Sequence, residues 1–138
     1  MLARDLMRKE VLTIEAGESV ATLMDVLVRE HVHGLPVVDE DERLVGMVTQ
    51  QDIFFATVTL GRQGNGSADG EPSPELKVRD IMTSPAVSAD EDTEVLSLCK
   101  VLTRLRIHRV PIVRDGKISG IISSLDICAA LERGEFNR

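Results

Sequence analysis

The sequence predicts an α/β (α+β) fold: two pseudo-symmetric copies of a strand-helix-strand-strand-helix unit, packed as one module. Three observations carry this. First, Arg4-Asp5-Leu6-Met7 recurs as Arg79-Asp80-Ile81-Met82, an offset of 75 residues (79 − 4) that Pro36 and Pro111 keep. Gly46/Gly120 and Asp52/Asp126 fall at 74 (120 − 46), so the first hairpin carries one extra residue, within Asp39 to Arg43. Ordered copies at nearly constant spacing mean an internal duplication. Second, Asp115-Gly116 separates two apolar runs, the pattern of a two-residue hairpin turn whose central residues both need positive φ. Third, Val20, Leu23, Met24, Leu27 and Val28 recur at helical spacing, with Asp25, Arg29 and Glu30 on the other face.

Taken in order, residues 3–9 form a lead-in turn and Val11 to Ile14 a short strand, before the helix from Val20. Strands follow at about 35–38 and 44–48, then a helix from Gln50 to about Leu60. The second copy repeats this with a lead-in at 77–82, a strand near Ala86 to Ser88 and a helix from Thr93, capped by Asp92 or Thr93. Val95, Leu98, Cys99, Leu102 and Leu105 form that helix's buried stripe. The repeats therefore span residues 1–60 and 77–138. Residues 61–76 have the Gly, Ser and Pro content of a flexible linker. Each copy is too small to bury its own sheet face, so the two are expected to share one core.

Two helices are unusually apolar. Ile53, Phe54, Phe55, Ala56, Val58 and Leu60 surround most of one, and Ile127, Cys128, Ala129, Ala130 and Leu131 repeat the pattern more weakly. A helix apolar on more than one side is buried on more than one side. The sequence therefore predicts a homodimer through helices 50–60 and 124–133; the alternative is that the internal two-fold consumes both faces.

Composition narrows the function. The 138 residues carry a net charge of −7, no Trp or Tyr, and 2% aromatics, which opposes phosphate-backbone binding and base stacking; nucleic acid is not an expected partner. No apolar run reaches membrane-spanning length and the N-terminus lacks a signal peptide's apolar centre, so a cytoplasmic protein without membrane contact is expected. Cys99 and Cys128 fall in apolar helical patterns and read as buried thiols. His31 and His33 are poorly spaced for a metal, and no metal is expected. No Ser-His-Asp or Cys-His set is present, and two lone carboxylates in separate sites cannot share acid–base work, so an enzyme is the weakest reading.

The chemistry concentrates where each second hairpin strand enters a helix. Gly46-Met47-Val48-Thr49-Gln50-Gln51-Asp52 and Gly120-Ile121-Ile122-Ser123-Ser124-Leu125-Asp126 both place a hydroxyl three residues before a carboxylate. A helix start favours phosphate, and a carboxylate can accept both hydroxyls of a ribose. The same spacing is a capping box, and the two roles can coexist. His108 and Arg109 precede the second copy's hairpin, and an arginine offers a bidentate fork to phosphate.

Asp-(Leu/Ile)-Met, an apolar-Pro-apolar-Val strand and Gly-apolar-apolar-(Ser/Thr)-x-x-Asp-Ile each occur twice, so the chain resembles a tandem CBS domain pair, or Bateman module. Ile107-His108-Arg109 makes the second copy similar to repeats of the regulatory γ subunit of AMP-activated protein kinase. The resemblance implies a regulatory module that binds an adenosine-containing ligand (AMP, ADP, ATP or S-adenosylmethionine) in clefts between the repeats. It requires no cofactor, and signals through its dimer or to an effector protein in trans. By position, Asp126 and Asp52 would bind ribose; Arg109, His108, Ser123 and Thr49 would lie toward phosphate. Ile121 with Val32, His33 and Leu12 would wall one base, and Met47 and His33 with Ile107, His108 and Val87 the other. Gly34 stands where the second copy has Arg109, and Gln51 and Leu125 replace a frequent hydroxyl, so the Asp126 site is expected to be the better phosphate site. A ligand-free dimerisation or interaction module is the alternative.

Overall fold

The computed structural model describes residues 1–62 and 76–137. Its elements are α1 (Ala3–Leu6), β1 (Ile14–Glu15), α2 (Val20–Glu30), β2 (Gly34–Val38), β3 (Leu44–Thr49), α3 (Gln50–Arg62), α4 (Val78–Ile81), β4 (Ala89–Asp90), α5 (Val95–Leu105), β5 (Arg109–Arg114), β6 (Lys117–Ser123) and α6 (Ser124–Glu132), then a 3-10 turn at Glu135–Asn137. The duplication is visible in the topology: each three-stranded sheet has a short parallel strand, then an antiparallel hairpin, in order β1-β2-β3 and β4-β5-β6.

The chain divides into two compact units whose boundaries differ from those of the sequence repeats. Unit 1 is Met1–Val11 with Val87–Arg138, and unit 2 is Leu12–Ala86. Each lead-in thus joins the sheet of the other repeat. In unit 1, Ala3 is fully buried among Val95, Leu98, Leu102, Val110, Ile112, Ile122 and Ile127. In unit 2, Val78 is buried with Ile14, Leu23, Leu27, Leu35, Val37 and Val48. The expected shared core is corrected in part: two clusters of buried apolar side chains form, one in each unit, while Val20 and Ala130, also fully buried, belong to neither.

Backbone bonds fix the exchange. Arg8 and Ile121 exchange N–H···O bonds of 2.9 and 3.0 Å, and Thr83 and Met47 do the same at 2.8 and 3.0 Å. The repeated glycines make room for it. A Cβ on Gly120 would lie 2.5 Å from Met7 Sδ and 2.9 Å from its Cβ; one on Gly46 would lie 2.8 Å from the Thr83 carbonyl oxygen. In Asp-(Leu/Ile)-Met, the carboxylates of Asp5 and Asp80 accept the Leu2 and Lys77 N–H groups at 2.9 and 2.8 Å, closing the lead-in turns.

The Asp115-Gly116 turn has φ of 53° and 82°, as the sequence predicts. In the first hairpin, Asp39 accepts the Asp41 and Arg43 N–H groups, an Asx-type turn that accommodates the longer loop. The short strands lie later than expected, at 14–15 and 89–90 rather than 11–14 and 86–88. Only Ile14, Glu15, Ala89 and Asp90 reach parallel register with β2 and β5 before the chain turns into a helix. Helix α5 is capped by neither Asp92 nor Thr93: Glu94 is its N-cap without a side-chain bond, and the Met1 carbonyl accepts the Val95 N–H at 3.0 Å. Asp92 instead pairs with Arg4 at 2.6 Å. Cys99 is half-buried, and Cys128 is exposed rather than buried because it sits on an outer face of α6; both are free thiols. Of the expected linker, residues 61 and 62 continue α3, Leu76 accepts the Val20 N–H at 3.0 Å, and residues 63–75 lie outside the described residues.

Candidate functional site

Asp126 lies at the third position of α6 and is 9% exposed. Its Oδ2 accepts the Ser123 N–H at 2.9 Å, while Ser123 Oγ accepts the Asp126 N–H at 3.2 Å, so the capping box is formed. Its Oδ1 accepts the Nε–H of Arg8 at 2.9 Å. This arginine was missed by sequence reasoning. The available signal was a difference between the copies, since Thr83 stands at the position equivalent to Arg8.

Strand pairing brings the other unit 1 candidates near this corner. Arg109 is half-buried and lies opposite Ser123 in the β5–β6 register. His108 is exposed, and its carbonyl accepts the Ser124 N–H at 2.9 Å, tying the strand entry to the start of α6. Ile121, half-buried, carries the bridge to Arg8. Ile107 packs against the unit 1 core, whereas Val87 is 40% exposed and precedes β4.

Unit 2 builds the same corner with different chemistry. Asp52 Oδ2 accepts the Thr49 N–H at 2.8 Å and its hydroxyl at 3.2 Å, and Thr49 Oγ1 accepts the Asp52 N–H at 3.4 Å. Thr83 supplies no cation in place of Arg8. Gly34, opposite Thr49, has no space for a side chain: a Cβ would meet the Val48 carbonyl oxygen at 2.9 Å and Thr49 Cγ2 at 3.0 Å. The absence of an arginine at 34 is therefore built into the hairpin. Met47 is half-buried beside the Thr83 bridge, and Leu12 is 41% exposed. His33 Nδ1 lies 3.3 Å from Gln50 Oε1. With Val32, it borders an open, largely apolar groove with Met24, Leu27 and Ile53.

Each corner can accept hydrogen bonds through a carboxylate and present a hydroxyl at a helix start; only the first adds guanidinium groups. Among the described residues no group of three or more His, Cys, Asp or Glu side chains could hold a metal, and no helix is long and apolar enough to cross a membrane.

The sequence pattern of the CBS domain matches residues 3–58 and 78–133. Inosine-5′-monophosphate dehydrogenase of Methanocaldococcus jannaschii is 30% identical over 126 residues, covering 91% of this chain but 22% of that enzyme. An uncharacterized protein of Methanopyrus kandleri is 30% identical over 124 residues, covering 87% of this chain and 57% of that protein. The chain thus spans about a fifth to just over half of these relatives' lengths. Among solved structures, the CBS domain pair of protein MJ0100, in complex with 5′-methylthioadenosine and S-adenosyl-L-methionine, aligns with a TM-score of 0.74 and 27% identity over 98% of both chains. CBSX2 in complex with AMP aligns with a TM-score of 0.82 and 24% identity, covering 97% of this chain and 98% of that one. With its duplicated topology and both repeats matched, the chain belongs to the CBS domain family and carries a tandem pair of CBS domains.

Proposed function

We propose that this CBS pair is a regulatory module that binds an adenosine-containing ligand and performs no chemistry of its own. The observation that carries the reading is the Asp126 corner, where a nearly buried carboxylate sits at a helix start beside a hydroxyl and two arginines. The MJ0100 pair, solved with two adenosine compounds, supports the ligand class. Asp126 and Asp52 accept ribose hydroxyls, Ser123, Arg109 and His108 lie toward phosphate in the first site, and Thr49 takes Ser123's place in the second. Ile121 and Met47 contact the bases from their own units.

Regulation follows from differential affinity: a ligand shifts a conformational equilibrium only as far as it prefers one state. An effector protein or a homodimer reads that shift. Isothermal calorimetry with AMP and 5′-methylthioadenosine tests the site, using Asp126→Asn rather than alanine, because asparagine keeps an acceptor for the Ser123 N–H and so keeps the helix cap. Losing a charged acceptor weakens nucleoside binding about ten- to a hundredfold. Unchanged affinity at a helical content equal to wild type would remove the ribose assignment.

A second reading, an interaction module that binds no nucleoside, draws on the exposed apolar faces. Phe54 and Phe55 on α3 are 66% and 65% exposed, and Leu125 and Leu131 on α6 are 76% and 58% exposed. No heat of binding with either compound would favour it.

A further inference from the structure

We propose that Arg8 sets the charge preference of the Asp126 site, favouring adenosine ligands with an anionic 5′ group over neutral or sulfonium-bearing ones. The inference rests on the nucleoside reading above and identifies which class of nucleoside the first site takes.

Arg8 is held by backbone before its side chain is considered. Its N–H and carbonyl pair with Ile121, and Met7 packs onto Gly120 with no room for a Cβ between them. The guanidinium is therefore anchored beside the carboxylate by a strand-like bridge. It spends one of its five donors, the Nε–H, on Asp126 Oδ1. Its two terminal nitrogens have no hydrogen-bond partner among the described residues, and the side chain is 72% exposed. Asp126 in turn has used two of about four acceptor positions, one for Ser123 and one for Arg8, so a ribose diol can still be accepted. A nucleoside seated on Asp126 then meets a cation with four free N–H donors. Phosphate complements that array; a sulfonium opposes it.

Unit 2 provides an internal contrast. Thr83 occupies the equivalent bridge, and Gly34 excludes a side chain where unit 1 has Arg109. The two sites of one chain thus differ in charge at two equivalent positions, and the second lacks this selection.

The test is calorimetry with AMP, 5′-methylthioadenosine and S-adenosylmethionine in an Asp52→Asn background, which silences the second site while keeping its helix cap. Arg8→Thr copies the residue of the other unit, and Arg8→Lys keeps the charge. In Arg8→Thr, the ratio of AMP to 5′-methylthioadenosine affinity falls about tenfold, as expected for losing a charged hydrogen-bonding partner. S-adenosylmethionine gains relative to the neutral compound. Arg8→Lys retains most of the AMP preference that Arg8→Thr loses, a split between the two variants that a purely structural role for Arg8 would not produce. The same ratio in wild type and Arg8→Thr overturns the role of Arg8 and leaves the nucleoside reading standing. Failure of all three compounds to bind the otherwise wild-type site overturns both.

Discussion

Asp126 shows how one side chain can serve fold and site together. Its carboxylate closes the α6 capping box and pairs with a guanidinium, leaving acceptor capacity at a nearly buried position. The Ser/Thr-x-x-Asp spacing was legible because a capping box is local, with both partners inside one helical turn. Arg8 was not, because it lies 118 residues from Asp126 and meets it only once a lead-in crosses to the other repeat's sheet. The same non-local crossing accounts for the repeated glycines. Gly46→Ala forces a Cβ against the Thr83 carbonyl, a backbone atom that cannot rotate away, and the expected loss is about 1–3 kcal/mol of unfolding free energy. Urea denaturation measures it. A cost below about 0.5 kcal/mol would mean the lead-in shifts freely, since that is the ordinary scale of surface substitutions.

At the scale of the element, periodicity carried the reading and packing limited it. Helices α2 and α5 appear where their apolar stripes placed them, with Leu23 and Leu98 buried in equivalent positions, but the last residue of each stripe, Val28 and Leu105, is exposed rather than buried. The two-residue strands were legible in kind but not in register, since parallel pairing rather than the residues themselves decides where they begin. Helix α3 keeps its apolar surplus on the outside: Phe54 and Phe55 stand edge-to-face with ring centroids 6.4 Å apart, and both remain about two-thirds exposed. Two adjacent exposed aromatics suit an interface core. In the homodimer proposed through α3 and α6, changing both Phe54 and Phe55 to Glu weakens self-association at least about tenfold, as for loss of an interface hot spot. Thermal stability of the monomer changes little, because neither ring belongs to a buried core. Sedimentation velocity across a concentration series reads the first effect. A wild-type chain that stays monomeric at all concentrations would dismiss the interface.

For the whole molecule, duplication in sequence and compactness in space follow different boundaries. The two copies were legible because motif order is a property of the chain, and the CBS pattern matches residues 3–58 and 78–133; the exchange of lead-ins was not, because Ala3 and Val78 look interchangeable until burial assigns each to a sheet. The exchange has a consequence for local stability. Deleting residues 1–10 takes from unit 1 the buried Ala3, the Met1 carbonyl that accepts the Val95 N–H, the Arg8–Ile121 bridge and the partner of Asp126 Oδ1. Unit 2 contains none of those residues and keeps its own lead-in at 77–83. The damage should therefore appear in the half of the sequence remote from the deletion. By hydrogen exchange, amides of β5, β6 and the first turn of α5 lose protection by at least about tenfold, the factor for 1.4 kcal/mol of local opening, while those of β2 and β3 change less. If protection fell first in β2 and β3, the first lead-in would belong to its own repeat, and the assignment of Arg8 to the Asp126 corner would fall with it.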